Sequence, residues 1–249
     1  MLKIRYLIVV GVVAYFIFTL AHLPAIWIAP YVDRLLAPQG MGLTSVSGTV
    51  WSGRADLRSS NPSLAPLQGS QLVWALRFSG LWRGQGRADV QVSGNALQLQ
   101  AQMQMGWKRF GVSDASGEIS ALFLNALLAN TLQVTQPLQL SHVSLHLKRT
   151  ANPSIEGSGN FFWPKGSMVL TQNPGQTLNM PDMMASLSSV DKGIQLTAKA
   201  QDAPVLNIKL DATGMATITV LKRMLVILAQ PGGDADPDAM LFEFQQPLF

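Results

Sequence analysis

The chain contains no cysteine. Disulfides, thiolate nucleophiles and cysteine-ligated zinc or iron centres are therefore excluded, and an oxidising compartment is neither required nor contradicted. Charge is scarce as well: Asp, Glu, Lys and Arg make up 13% of 249 residues, about half the share in an average soluble domain. The net charge of +4 is scattered. Arg54, Arg58, Arg77, Arg83 and Arg87 form the one loose basic cluster, with Asp56 and Asp89 among them, which is a poor footprint for nucleic acid. No G-x-S-x-G elbow, Walker loop or H-E-x-x-H occurs.

The remaining hints of chemistry dissolve on inspection. His142 and His146 have the i, i+4 spacing that suits a metal on a helix, but their segment reads as strand. Two positions four apart on a strand share a face yet stand about 13 Å from each other. Asp234, Asp236 and Asp238 imitate the opening of a calcium loop, but Ala239 replaces the required Gly and Gln245 falls where the bidentate Glu belongs. Gly84-x-Gly86 and Gly157-x-Gly159 lack the rest of a dinucleotide fingerprint and read as strand or bulge glycines. The expectation is a chain with no catalytic, cofactor-binding or metal residues, and hence no enzyme.

What the sequence does hold begins at the N-terminus. From about Ile4 to Leu23 it is apolar save for Arg5, and 20 helical residues rise about 30 Å, the thickness of a bilayer's hydrocarbon core. Lys3, Arg5 and the terminal amine lie at the leading end of the run, whereas Asp33 and Arg34 after it cancel, so the positive-inside rule predicts a cytoplasmic N-terminus and an exported body. The small residues around Thr19-Leu20-Ala21 suggest a cleaved signal peptide as the competing reading, although the run is longer than a usual signal core. His22 reads as an interfacial polar residue. Ala25 to Ala37 predicts a juxtamembrane helix, with Trp27 and Tyr31 where a headgroup belt wants amphipathic rings, Pro30 as a kink or new first turn, and Pro38-Gln39-Gly40 as its stop.

Behind it the dominant period is two. Leu97, Leu99, Ala101, Met103 and Met105 alternate with four glutamines, and residues 88–93 alternate likewise, so Gly94-Asn95 predicts a hairpin turn between them. Val143, Leu145 and Leu147 form another strand. Residues 193–220 predict a three-strand antiparallel meander with turns at 201–204 and 213–215. Short helices are expected at Ser120 to Ala129, with Ser120 as N-cap, and at Leu221 to Ala229; residues 230–238 read as loop and Leu241 to Phe244 as a last strand. Glycines near strand starts recur without a fixed period, so an internal repeat is left open. One greasy and one Gln/Ser/Thr face per strand describe a sheet packed on one side and wetted on the other. Aromatics in strands ordinarily pack a core; Trp51, Trp74 and Trp82, gathered in one third of the chain, are the candidates for a partner or lipid surface.

The basic start, the apolar helix and then Ser47-Gly-Thr-Val-Trp-Ser-Gly-Arg-Ala55, followed by Leu72-Val-Trp-Ala-Leu76 and Leu81-Trp-Arg-Gly84, resemble protein N of the bacterial type II secretion system. The resemblance covers the whole chain in layout and about residues 45–95 in motif. It implies a non-enzymatic accessory subunit of the inner membrane that helps folded proteins cross the outer membrane through contacts with platform or secretin-linked proteins. It also implies a mainly β fold: an N-terminal transmembrane helix, then a curved, largely antiparallel periplasmic sheet akin to AsmA-like and lipopolysaccharide-bridge proteins, with two or three short helices. The expected division is residues 1–23 as cytoplasmic start and anchor, 24–39 as juxtamembrane linker and 40–249 as the periplasmic β domain. Such a sheet supports a second expectation, a membrane-anchored lipid-binding or lipid-transfer protein with an apolar β-groove.

Overall fold

The computed structural model describes residues 2–77, 84–106, 109–128, 131–148, 154–171, 177–211, 213–228 and 236–247. Trp82, Trp107, Asp234 and most of the expected 230–238 loop lie outside them. Helix α1 (Leu2–Ala21) runs for 20 residues, and every side chain described on it is exposed. Among the described residues no helix is long and apolar enough to cross a membrane; on α1 the unbroken run of described side chains is 8–21.

The expected juxtamembrane helix is divided. A 3-10 turn (Ala25–Trp27) leads into α2 (Ala29–Leu36) and a second 3-10 turn (Ala37–Gln39). Pro30 occupies the first turn of α2, where a missing N–H costs nothing, and Gly40 ends the segment at φ 73°.

Among the described residues thirteen strands form one antiparallel sheet whose spatial order follows the chain. Its first six are β1 (Met41–Gly48), β2 (Ser52–Ser59), β3 (Gln71–Arg77), β4 (Gln85–Ser93), β5 (Leu97–Gly106) and β6 (Arg109–Ile119). After helix α3 (Ala121–Leu127) and the diverted β7 (Leu132–Val134) come β8 (Leu138–Lys148) and β9 (Ser154–Trp163). Two more diverted strands, β10 (Gly166–Leu170) and β11 (Thr177–Met180), join β7 in a separate three-stranded sheet. The main sheet resumes with β12 (Met183–Val190), β13 (Gly193–Ala200), β14 (Ala203–Leu210), β15 (Met215–Leu221), helix α4 (Arg223–Ile227) and β16 (Met240–Pro247).

The period-two readings are met in register. Leu99, Val92 and Leu72 lie opposite one another across β5, β4 and β3, and Leu196, Ile208, Ile218 and Phe244 do so across β13 to β16. Ser120 caps α3 by accepting from Phe123 N. The 201–204 turn is narrower than expected. Gln201 and Asp202 take it alone, both at positive φ as a tight hairpin requires, and Pro204 already lies in β14 beside a bulge, where its lost N–H is tolerated.

The shared face expected for His142 and His146 is corrected by bulges. Asp114 in β6 (φ 52°) and His142 in β8 (φ 51°) are extra residues in adjacent strands. An extra residue breaks the alternation, so His142 points outward to Asp114, its Nδ1 donating at 2.5 Å, while half-buried His146 lies 3.4 Å from the Ser113 hydroxyl.

Strand alternation gathers the connections at two ends. At the hairpin end, β1–β2, β12–β13 and β14–β15 turn tightly at 49–51, 191–192 and 211–214. The opposite end carries the insertions: a 3-10 segment (Pro62–Leu67), α3, the small sheet and α4. There Leu67, Ala96 and Phe123 form one buried cluster, and Ala198, Ala200 and Val205 another under Met224 and Ile227. Among the described residues no second layer seals the rest. The accessible surface is 15978 Å² for 26.9 kDa, against about 10,800 Å² expected of a compact monomer of that mass.

Candidate functional site

Two features remain without a purely structural explanation: the joint between α1 and the sheet, and the unsealed apolar face. The joint is built by the Ser47–Ala55 phrase. Gly48, at φ 93°, turns the chain where a Cβ would sit 2.6 Å from Ser52 O. Thr49 N donates to Ser52 O, closing the turn at 2.8 Å. Val50 N then donates to Leu23 O at 2.9 Å, the Trp51 indole N–H to Leu20 O at 2.7 Å, and Pro24 bridges Thr49. The last carbonyls of a helix lack i+4 partners; here Leu20 O, which accepts from Leu23 N at 3.3 Å, takes the Trp51 indole N–H as a second donor.

Trp74 holds the joint from the next strand. Its indole N–H donates to Val50 O at 3.2 Å, and Leu76 N donates to Trp51 O at 2.6 Å. Gly53 leaves room for the Trp74 ring, since a Cβ there would lie 2.5 Å both from a ring carbon and from Ser47 O. Trp51 and Trp74 are thus brought together and half-buried, with their polar edges turned to the chain's own backbone. Trp82 lies outside the described residues. The missed partner is Leu20, for a contact 31 positions away leaves no periodic trace.

On the apolar face, Met105, Phe110 and Leu145 of β5, β6 and β8 are 55%, 41% and 42% exposed, and Phe242 and Phe244 of β16 are 52% exposed. Two clefts lie on the polar face. One, of about 420 Å³, is lined by Asp89, Gln91, Gln100, Gln102 and Asp114; the other, of about 670 Å³, by Phe162, Met184, Lys199 and Asp202 among others. Among the described residues no three His, Asp or Glu groups converge as metal ligands. The Glu156 carboxyl is held below its usual range chiefly by the hydrogen bond from Lys148, and Asp211 by those from the Thr213 hydroxyl and Met215 N. Both pin strands or turns: Glu156 links β9 to β8, and Asp211 closes the β14–β15 turn.

A single long antiparallel sheet, open on its apolar side among the described residues and tied at its first edge to helix α1, defines the class of fold. The family model for type II secretion system protein N matches residues 39–237, and the chain belongs to that family. No curated protein and no solved structure matches it.

Proposed function

We propose that this secretion component works as an accessory inner-membrane subunit, anchored by α1 with its N-terminus in the cytoplasm and its sheet in the periplasm. The observation that carries the reading is the joint, which hydrogen-bonds the family's β region to the end of a 20-residue helix. That helix is about 30 Å long, the thickness it would have to cross, and it bears no charge from Tyr6 to Ala21. Lys3 and Arg5 on its leading side support the orientation. In this reading residues 1–23 form the anchor, 24–39 the linker running beside β1, and 40–249 a non-enzymatic domain that meets platform or secretin-linked proteins. Trp51 and Trp74 serve it from the joint, and Trp82 belongs to the same proposed surface. Crosslinking in native membranes is expected to recover other secretion components; recovery of none would overturn the assignment.

The open apolar face favours a second reading, a lipid-binding groove. Its sign would be acyl chains copurifying with the protein and released by denaturation. Protein free of lipid, with a closed and dry apolar face, would sink it.

A further inference from the structure

The joint also has a direction. Leu20 and Leu23 are tied to Val50 and Trp51, so α1 meets the sheet at the hairpin end. From there the linker descends beside β1: Pro24 bridges Thr49 near one end of the strand, Asp33 reaches Leu43 N near the other, and Gly40 enters β1 at its start. Taking the anchored helix of the proposed function as given, we propose that the whole hairpin end of the sheet is seated on an anionic bilayer surface, with the insertion end pointing away.

Two observations on the far strands support a seat wider than the joint alone. The first is charge. Beyond the ion pairs Arg77–Asp89, Lys148–Glu156 and Lys209–Asp191, the hairpin end carries Arg54, Arg87, Arg109 and Lys192 against Asp211. The described residues of the insertion end show no such excess: Arg58, Lys165, Lys199, Lys222 and Arg223 are offset by Glu118, Asp182, Asp202, Asp236 and Asp238. Basic groups near an anionic leaflet are attracted within a Debye length of it.

The second is apolar exposure in line with the joint. Ile26 and Trp27 lie just past α1 at 62% and 66% exposed, Met105 and Phe110 flank the β5–β6 connection, and Met215 begins β15 at 37%. Neighbouring strands are about 4.8 Å apart, so the β5–β6 connection stands roughly 20 Å along the sheet from the joint, outside the reach of α1 itself. Exposure alone does not choose the end, because Leu122 and Leu127 are exposed at the other. The tie to α1 and the basic excess choose it.

The lack of cysteine makes the test direct. Full-length chains carrying Val13→Cys, Met105→Cys, Phe110→Cys or Leu122→Cys are labelled with an environment-sensitive fluorophore and reconstituted in vesicles containing a third phosphatidylglycerol, with headgroup-region spin-labelled lipid as quencher for positions 105, 110 and 122 and acyl-chain spin-labelled lipid as quencher for position 13, which lies near the middle of α1. Positions 105 and 110 are expected to be quenched at least threefold more than 122. Replacing Arg54, Arg87, Arg109 and Lys192 with Gln is expected to remove most of that difference and leave position 13 unchanged. Quenching at 13 with equal values at 105, 110 and 122 overturns the seat while the anchor stands. A difference as large in phosphatidylcholine alone overturns the role of the basic residues. An unquenched position 13 overturns the anchor reading itself.

Discussion

The two edges of the main sheet are finished differently. At β1 the preceding chain covers the edge: α2 lies against it, Asp33 accepts from Leu43 N at 2.7 Å, Pro24 bridges Thr49, and a bulge at Ser45 (φ 53°) interrupts the register. At β16 nothing among the described residues pairs beyond the strand, and residues 241–246 are all exposed, with Glu243 their single charge. An open row of N–H and C=O groups is a template for another strand, and sequences usually defend such a row. Here the edge of the main sheet beside α1 is closed by the chain itself, while among the described residues the β16 edge is left open to another strand.

The contrast is sharpest in what each edge tolerates. Gly53→Val, which forces a Cβ against Ser47 O and the Trp74 ring, is expected to destabilise the protein by about 3 kcal/mol or more in urea unfolding. Asp33→Ala removes a charge-assisted bond and should cost about 2 kcal/mol, with faster hydrogen exchange at the Leu43 amide; Asp33→Asn should recover part of the loss. Trp51→Phe keeps an aromatic ring but deletes the pyrrole portion with its N–H donor, so about 1 kcal/mol or more is expected, read together with greater protease sensitivity around residues 21–24. At the far edge Phe244→Ala should cost only about 0.5 kcal/mol, because half the side chain is already in water. If it costs as much as Gly53→Val, the β16 edge is covered in solution and the contrast fails.

A pH experiment probes the turn two strands in from the open edge. The folded-state pKa of Asp211 is depressed by the Thr213 hydroxyl and the Met215 and Thr213 amides. A depressed carboxylate contributes stability that is complete above its unfolded value of about 3.9 and is lost as pH falls through the folded value. Asp211→Asn is therefore expected to destabilise the protein at neutral pH and to flatten the stability profile below about pH 4, as followed by thermal melts.

Much of this architecture was legible before any coordinates. The glutamine alternation from Leu97 to Met105, the Gly94-Asn95 turn and the 193–220 meander follow from period-two patterning, and Ser120 marks α3 as an N-cap does. Three things were hidden for physical reasons. Bulges at Asp114 and His142 flip the alternation within a strand, which a fixed period cannot register. Strands as short as Leu132–Val134 and Thr177–Met180 carry too few residues to show a period at all. Trp51 looked like a core or surface aromatic, whereas its indole edge fastens Leu20, a role set by tertiary proximity. At the C-terminus the expected strand of four residues proved to be eight, Met240–Pro247, because pairing with β15 recruits the polar Gln245 and Gln246.

The sheet's order also bears on how the protein is made and unmade. Its strands lie side by side in the order in which they leave the ribosome or a translocation pore, so each new strand meets a neighbour already in place and, outside the three connections that carry α3, the small sheet and α4, closes only a short loop. Assembly can then proceed as a zipper starting at the tethered edge. Pulling on the C-terminus would reverse it, peeling strands away singly from β16 while the joint at Leu20 held to the last.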